Sequence, residues 1–389
     1  MTRSGWVVGW FAIALLTLPG RFDAFWYVKE WVLLGAFGVI LIWWPPGVPS
    51  PLRALSVLAT WVGLQFWVRY ASVLAWLPAN PTQISFPTWT VMPSLLTLGG
   101  LLAIQRLSTN RQERWWAFHA WLCIISGLII GGLACLQYVG WSQWVIPDPS
   151  GASTGSPAMI STLGNQMLVG NYLAMVAPAC LLFREWRWAW LLFTGMILLT
   201  GNQAGILALG TGLLAFFLVL RRWRWALGLS LLLVGGLVFG FMTWSDGGRW
   251  AMWTDALRHL AHHQAIFDGP LTGLGLGSVR FVFMNAFPRA HMGAFHALHN
   301  EYLEVLFELG VIGLGLLLWA LWQTTRQVRA AIPTRHLAVY SAMTAATATV
   351  SLVSFPFQVA PLAAVGVTVV AGTLALSARG GEGLHHVSA

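Results

Sequence analysis

An all-α membrane protein that crosses the bilayer many times is the fold class this sequence predicts. Three observations predict it. Of 389 residues, 57% are hydrophobic, 8% are charged and 25 are Trp, which is more apolar surface than one water-soluble core can bury. Apolar runs reach the roughly 20 residues that about 30 Å of hydrocarbon demands at about 1.5 Å per residue. Arginines cluster in every second connection between these runs, so the net charge of +9 reads as a topology signal rather than a nucleic-acid patch. The polytopic chain is expected to form a single transmembrane domain over residues 1–389, with about twelve helices and a large loop on the outer face.

The expected helices run 5–19, 28–44, 54–77, 88–105, 115–139, 166–183, 188–201, 203–220, 225–243, 300–321, 337–354 and 359–377. The first follows Arg3 and could pass for a signal peptide, but similar segments follow it everywhere, so it reads as a retained span. With a cytoplasmic amino terminus, one side of the membrane collects Arg53, then Arg106, Arg111 and Arg114, then Arg184 and Arg187. The same side holds Arg221, Arg222 and Arg224, then Arg326, Arg329 and Arg335, with Arg379 in the tail. Cys123, Cys135 and Cys180 lie inside apolar runs without C-x-x-C spacing and read as small core residues. No fixed-period repeat or interdomain linker interrupts the chain.

Two connections on the opposite side are long. The first, 140–165, is rich in Ser, Gly and Pro and reads as irregular. The second, 244–298, opens on Ser245-Asp246-Gly247-Gly248-Arg249 and continues with Trp250, Trp253, Leu257 and Leu260 at helical spacing. That stripe predicts an amphipathic helix in the membrane interface, with Arg258, His259, His262 and His263 largely on its solvated side. Arg249, Arg258, Arg280 and Arg289 place positive charge on the outer face, against the usual bias, and an anionic ligand is one reason for it. Arg249 is the strongest of the four, because a guanidinium fork at a helix amino terminus suits diphosphate oxygens; Arg258 and Arg289 read equally well as anchors to lipid phosphates.

The strongest local pattern is Leu298-His299-Asn300-Glu301-Tyr302-Leu303-Glu304, continuing through Glu308 to Gly310 and Gly313. A His opening a transmembrane helix sits at the positive end of the helix dipole, which favours neutral imidazole, a form able to accept a proton. Carboxylates at 301, 304 and 308 carry charge into the membrane, where it is costly unless paired, and Arg69 is a possible partner. Gly310 and Gly313 are expected to permit close helix contact.

These residues carry a resemblance. His299-Asn300, then Gly310 and Gly313, resembles the signature of the O-antigen ligase and O-antigen polymerase superfamily of bacterial envelope glycosyltransferases. Gly248-Arg249 with Trp253, followed by Pro270-Leu271-Thr272-Gly273-Leu274-Gly275, is similar to the pattern that family shows ahead of its His. Leu163-Gly164-Asn165 through Asn171-Tyr172-Leu173-Ala174 resembles its "GNxNYLA" stretch, and Phe355-Pro356-Phe357-Gln358 its late "FPLQ" turn, so the likeness runs over roughly residues 160 to 375.

The resemblance implies metal-independent, inverting transfer of a glycan from an undecaprenyl-diphosphate carrier to a sugar hydroxyl, at the periplasmic face of a bacterial inner membrane. His299 would be the general base and Arg249 would stabilise the diphosphate leaving group; Arg280, Arg289, Arg69, Asn300, Gln203 and Asn171 complete the expected substrate-binding set. The chain departs from the family at Gly201-Asn202-Gln203-Ala204-Gly205, where an Ser-Arg-Gly-like turn is usual. The missing charge then falls to Arg280, Arg289 or Arg69, or this member is specialised or impaired. No cofactor, metal or nucleic acid is implied; membrane lipids, the carrier-linked glycan and a glycan or lipid A-core acceptor are the expected partners. Ligase and polymerase share donor and signature and differ in acceptor, with ligase the first choice.

Readings from other classes fare worse. A metal-dependent transferase needs clustered outer-face carboxylates, and Asp23 and Glu30 stand apart. A zinc site at His259, His262 and His263 has no Cys nearby. A transporter would account for Arg69, Glu304 and Glu308 but would favour half-repeats, which are not visible.

Overall fold

The computed structural model describes residues 56–65, 85–110, 112–141, 161–163, 165–243, 249–262, 269–279, 298–354 and 356–378. The expected spans 5–19 and 28–44, and most of 54–77, lie outside them, as do Arg69, Arg280 and Arg289. Among the described residues the fold is helical, with an isolated bridge between Gly269 and Gly273. After the helical stretch 56–65 come α1 (Ser85–Leu107), α2 (Glu113–Leu136), α3 (Gln166–Val176), α4 (Arg187–Leu199) and α5 (Gln203–Val219). Then follow α6 (Trp223–Thr243), α7 (Arg249–His262), α8 (Glu301–Ala330), α9 (Arg335–Val353) and α10 (Ala360–Ser377). Each described helix coincides with an expected one. Three segments, Glu113–Gly140, Glu301–Ala330 and Arg335–Val353, are long and apolar enough to cross a membrane.

The helix ends follow from local chemistry. Asn165, Asn202, Asn300 and Thr334 cap α3, α5, α8 and α9, each side-chain oxygen accepting amides of the first turn. Pro178 lacks an amide hydrogen, and α3 tightens there into the 3-10 turn Ala177–Leu181. α8 runs nine residues past its expected end, its last turns polar, with Arg326 over the Trp322 ring at 5.5 Å.

The core lies between α2, α3, α4, α5, α9 and α10, around fully buried Trp116, Tyr172, Phe193 and Tyr340. Cys123 and Cys180 are buried there, and Cys135 is half-buried. The Tyr340 hydroxyl donates to the Trp116 carbonyl at 2.8 Å, tying α9 to α2. α9 packs chiefly on α5, where a Cβ at Gly212 would stand 3.0 Å from the Ala342 carbonyl oxygen, so a small residue allows the close approach. Large apolar side chains face outward, Leu231 67% and Leu232 74% exposed, as lipid-facing positions require.

One end of the bundle gathers the arginine-bearing termini: Arg335 Nε donates to the Leu181 carbonyl at 2.8 Å, and His336 lies 4.0 Å from Glu113. The opposite end gathers polar caps. Asn202 Nδ2 donates to Asn171 Oδ1 at 2.8 Å, Asn171 Nδ2 donates to Ser354 Oγ at 3.0 Å, and Glu301 Oε1 accepts the Phe357 amide at 2.9 Å. These bonds join the starts of α3, α5 and α8 to the turn between α9 and α10.

α8 is broken at Gly310, with φ 71° and ψ −171°. The expectation that Gly310 serves helix–helix contact is corrected here: its partner is the loop 269–279. A continuous helix would pair the Val311 and Ile312 amides with the Phe307 and Glu308 carbonyls. Instead the Leu274 and Gly275 amides donate to Phe307 and Glu308, both at 2.8 Å, while Val311 and Ile312 donate to the Pro270 and Leu271 carbonyls at 2.9 and 3.2 Å. The loop thus satisfies, on both sides, the backbone groups that the break releases. Residues from the stretch 56–65 brace it: Gln65 Nε2 donates to the Thr272 carbonyl at 2.9 Å and Trp61 Nε1 to that of Leu309 at 3.3 Å.

A Cβ at Gly310 would stand 2.3 Å from the Leu271 carbonyl oxygen, in a backbone region open essentially to Gly alone. Gly310→Ala should therefore destabilise by about 3 kcal/mol, read as a loss of folded protein or a lowered melting temperature in detergent. Gly315→Ala on the same helix, with nothing within 4 Å of the added Cβ, should be neutral or slightly stabilising; equal losses in both variants would contradict the interlock.

Candidate functional site

The polar end of the bundle carries the candidate site. α8 opens with Asn300, whose Oδ1 accepts the Tyr302 and Leu303 amides at 3.0 and 3.1 Å. Immediately before it, His299 has φ 54°, a left-handed conformation that costs a non-glycine residue roughly 1–3 kcal/mol and persists only where its surroundings enforce it. The residue before that, Leu298, is buried. Its carbonyl accepts Trp253 Nε1 of α7 at 2.7 Å, and its amide donates to Glu304 Oε1.

α7 lies against this corner. Met252, Ala256 and Leu260 bury themselves with Val279, Leu298 and Phe307, and His259 stacks on Phe307 with ring centroids 6.2 Å apart. The expected stripe is corrected by this packing: Trp250 and Leu257 are 59% and 43% exposed, while His259 faces protein. The helix is apolar on two sides, one for α8 and one outward, as a helix in a membrane interface can be. Its first residue is Arg249.

Arg249 and His299, assigned from widely separated segments, are brought into one electrostatic neighbourhood. The His299 imidazole is pushed down to about 4, first by burial, which disfavours the charged ring, and then by the Arg249 guanidinium. Its ring is therefore neutral across the physiological range, the protonation state a proton acceptor requires.

The remaining expected residues divide. Asn171 is buried in the Asn202–Asn171–Ser354 chain at the same end, where its amide is committed to protein partners. Gln203 is exposed at the first position of α5. Glu304 and Glu308, for which Arg69 was the expected partner, each accept a backbone amide, Glu304 from Leu298 and Glu308 from Val279 at 3.3 Å. Asn202, Trp253 and Glu301 are roles that sequence reasoning missed. Asn202 had a usable signal, a capping residue immediately before a helix; the long-range acceptors of Trp253 and Glu301 left none.

Residues 188–318 match the family model for O-antigen ligase. The match supports membership of the O-antigen ligase superfamily. No curated protein matches the chain. Members of this superfamily are membrane glycosyltransferase-like enzymes. The O-antigen ligase match runs from α4 into α8 and takes in Gln203, Arg249, the 269–279 loop, His299 and Gly310. Asn171 and the turn at 354–359 lie outside it and reach it through the hydrogen bonds of Asn202 and Glu301.

Because Arg249 lowers the His299 pKa, removing its charge has a definite sign. Arg249→Gln should raise the His299 midpoint from about 4, burial alone still holding it below the ordinary value of 6.5. Imidazole NMR titration, with the resonance assigned by its disappearance in His299→Ala, measures this. An unchanged midpoint would show that Arg249 does not act on the ring.

Proposed function

We propose that this protein is an O-antigen ligase-like glycosyltransferase that moves a glycan from an undecaprenyl-diphosphate carrier to a sugar hydroxyl of the lipid A-core, at the periplasmic face of the bacterial inner membrane. The observation that carries the reading is the neutral His299 ring held in a strained backbone beside Arg249, within the segment that matches the family.

In this reading His299 accepts the proton of the acceptor hydroxyl as its oxygen attacks the anomeric carbon. The new glycosidic C–O bond forms on one face while the bond to the carrier diphosphate breaks on the other, so configuration inverts. The electron pair of the broken bond leaves on the diphosphate, and Arg249 stabilises that charge through a bidentate fork. A pKa near 4 makes a weak base before donor binds. Bound diphosphate offsets the Arg249 charge and lifts the imidazole toward the range where a base works best. Substrate binding thus tunes its own catalyst. Arg280, Arg289 and Arg69 remain candidates for the second cation that Gln203 does not supply, and Asn300 and Asn171 shape the site's rim and wall.

His299→Ala should reduce transfer from an undecaprenyl-diphosphate-linked glycan to purified lipid A-core by roughly 10² to 10⁴ while donor binding persists. Arg249→Lys keeps the charge but loses the fork, and should impair transfer at normal protein abundance. Full activity in His299→Ala would refute the assignment of the base. In a deletion strain, core without any attached chain, together with accumulated carrier-linked polymer, is the expected lipopolysaccharide profile; core bearing a single repeat would instead make the protein a polymerase.

A further inference from the structure

The left-handed conformation of His299 has a physical cause on each side of it. After it, Asn300 is fixed as the α8 cap through two backbone amides, and its own carbonyl accepts the Glu304 amide at 3.0 Å. Before it, both backbone polar groups of Leu298 are taken. Its carbonyl receives Trp253 Nε1 from α7 at 2.7 Å, its amide is received by Glu304 Oε1 from the first turn of α8, and its side chain is buried beneath α7. Two residues pinned this closely leave the one between them little choice of φ and ψ.

We propose that Trp253 and Glu304 are positioning residues, which grip Leu298 from α7 and α8 and thereby hold His299 in its left-handed conformation beside Arg249. This rests on the reading of His299 as the base. Neither residue touches substrate in this account; each acts through the backbone of Leu298. Glu304 is suited to the role because a carboxyl group 2% exposed has no solvent to satisfy its oxygens, and accepting a backbone amide is one way to meet that need. Trp253 is suited because its indole is a donor with no acceptor function, so its bond to a carbonyl has one direction. The same grip couples α7 to α8: Arg249 begins the helix that carries Trp253, so the guanidinium and the imidazole are located by one hydrogen-bonded corner.

Three variants of the purified full-length protein test this. Trp253→Phe retains an aromatic ring and removes the indole donor. Glu304→Leu removes the acceptor, and Glu304→Gln restores an amide oxygen at the same reach. With an undecaprenyl-diphosphate-linked oligosaccharide and lipid A-core, Trp253→Phe should lower kcat by about tenfold to a hundredfold, as misplacement of a catalytic group by about 1 Å can do, with donor KM little changed. The His299 NMR midpoint should move up from about 4 as the ring loses its buried position. Glu304→Leu should do the same, and Glu304→Gln should recover most of what the leucine loses. If Glu304→Leu does not fold, Trp253→Phe decides the matter. Wild-type kcat and an unmoved midpoint in folded Trp253→Phe would overturn the proposal. The midpoint judges the grip independently of transfer, so full activity in His299→Ala would refute the base while leaving the titration to decide the clamp.

Discussion

A break in a membrane helix is tolerable only if the backbone groups it releases find partners inside the protein, and the exchange at Gly310 is where this structure meets that demand. The two carbonyls and two amides that would have paired with each other across the break pair instead with the loop 269–279. Neither partner can take a side chain at the crossing: a Cβ on Gly273 would stand 2.3 Å from the Glu308 carbonyl carbon and one on Gly310 2.3 Å from the Leu271 carbonyl oxygen. The amino-terminal turns of α8, which follow His299, are thereby locked to the loop that precedes it in sequence.

That constraint explains the arrangement above it. Glu308 faces back to the Val279 amide at the end of the loop, and Leu274, Val279 and Phe307 form the floor on which α7 lies. α7 in turn delivers Trp253 to Leu298 and starts at Arg249. Membrane protein interiors lack water to satisfy polar groups, so the carboxyl groups of Glu304 and Glu308 are turned toward backbone amides, and they become the staples of the site. The polar chain Asn202–Asn171–Ser354 and the Glu301 bond to Phe357 extend the same economy to α3, α5 and the turn before α10.

Much of this was legible in the sequence. Apolar run length and the placement of arginines located α1 through α6 and α8 through α10, because in lipid these two quantities are set by the solvent; the ends were less legible, α3 giving way to a 3-10 turn at Ala177 and α8 running nine residues past its expected end. His299, Asn300 and Arg249 stood out because each is polar chemistry at a helix start. The break was not legible: Gly310 and Gly313 in an apolar helix fit close helix packing equally well, and only the long-range backbone pairing with the loop 269–279 separates the two. The buried side of α7 was misread for a related reason. Its outward face is also apolar, so periodicity alone favoured Trp250 and Leu257 over Met252 and Ala256. The partners of Glu304 and Trp253 are backbone groups, which every residue carries and no sequence pattern distinguishes.

The central claim is that a buried imidazole, neutral because of its burial and its arginine neighbour, takes the proton of the acceptor hydroxyl. The pH dependence of kcat/KM for transfer reports the free protein's ionisations and tests it most directly. A base with a midpoint of about 4 stays unprotonated through the weakly acidic range, so the acidic limb should remain flat down to about pH 5 and fall only as pH approaches 4. A limb that falls through the ordinary histidine value near 6.5, in protein that remains folded across the range, would contradict the account.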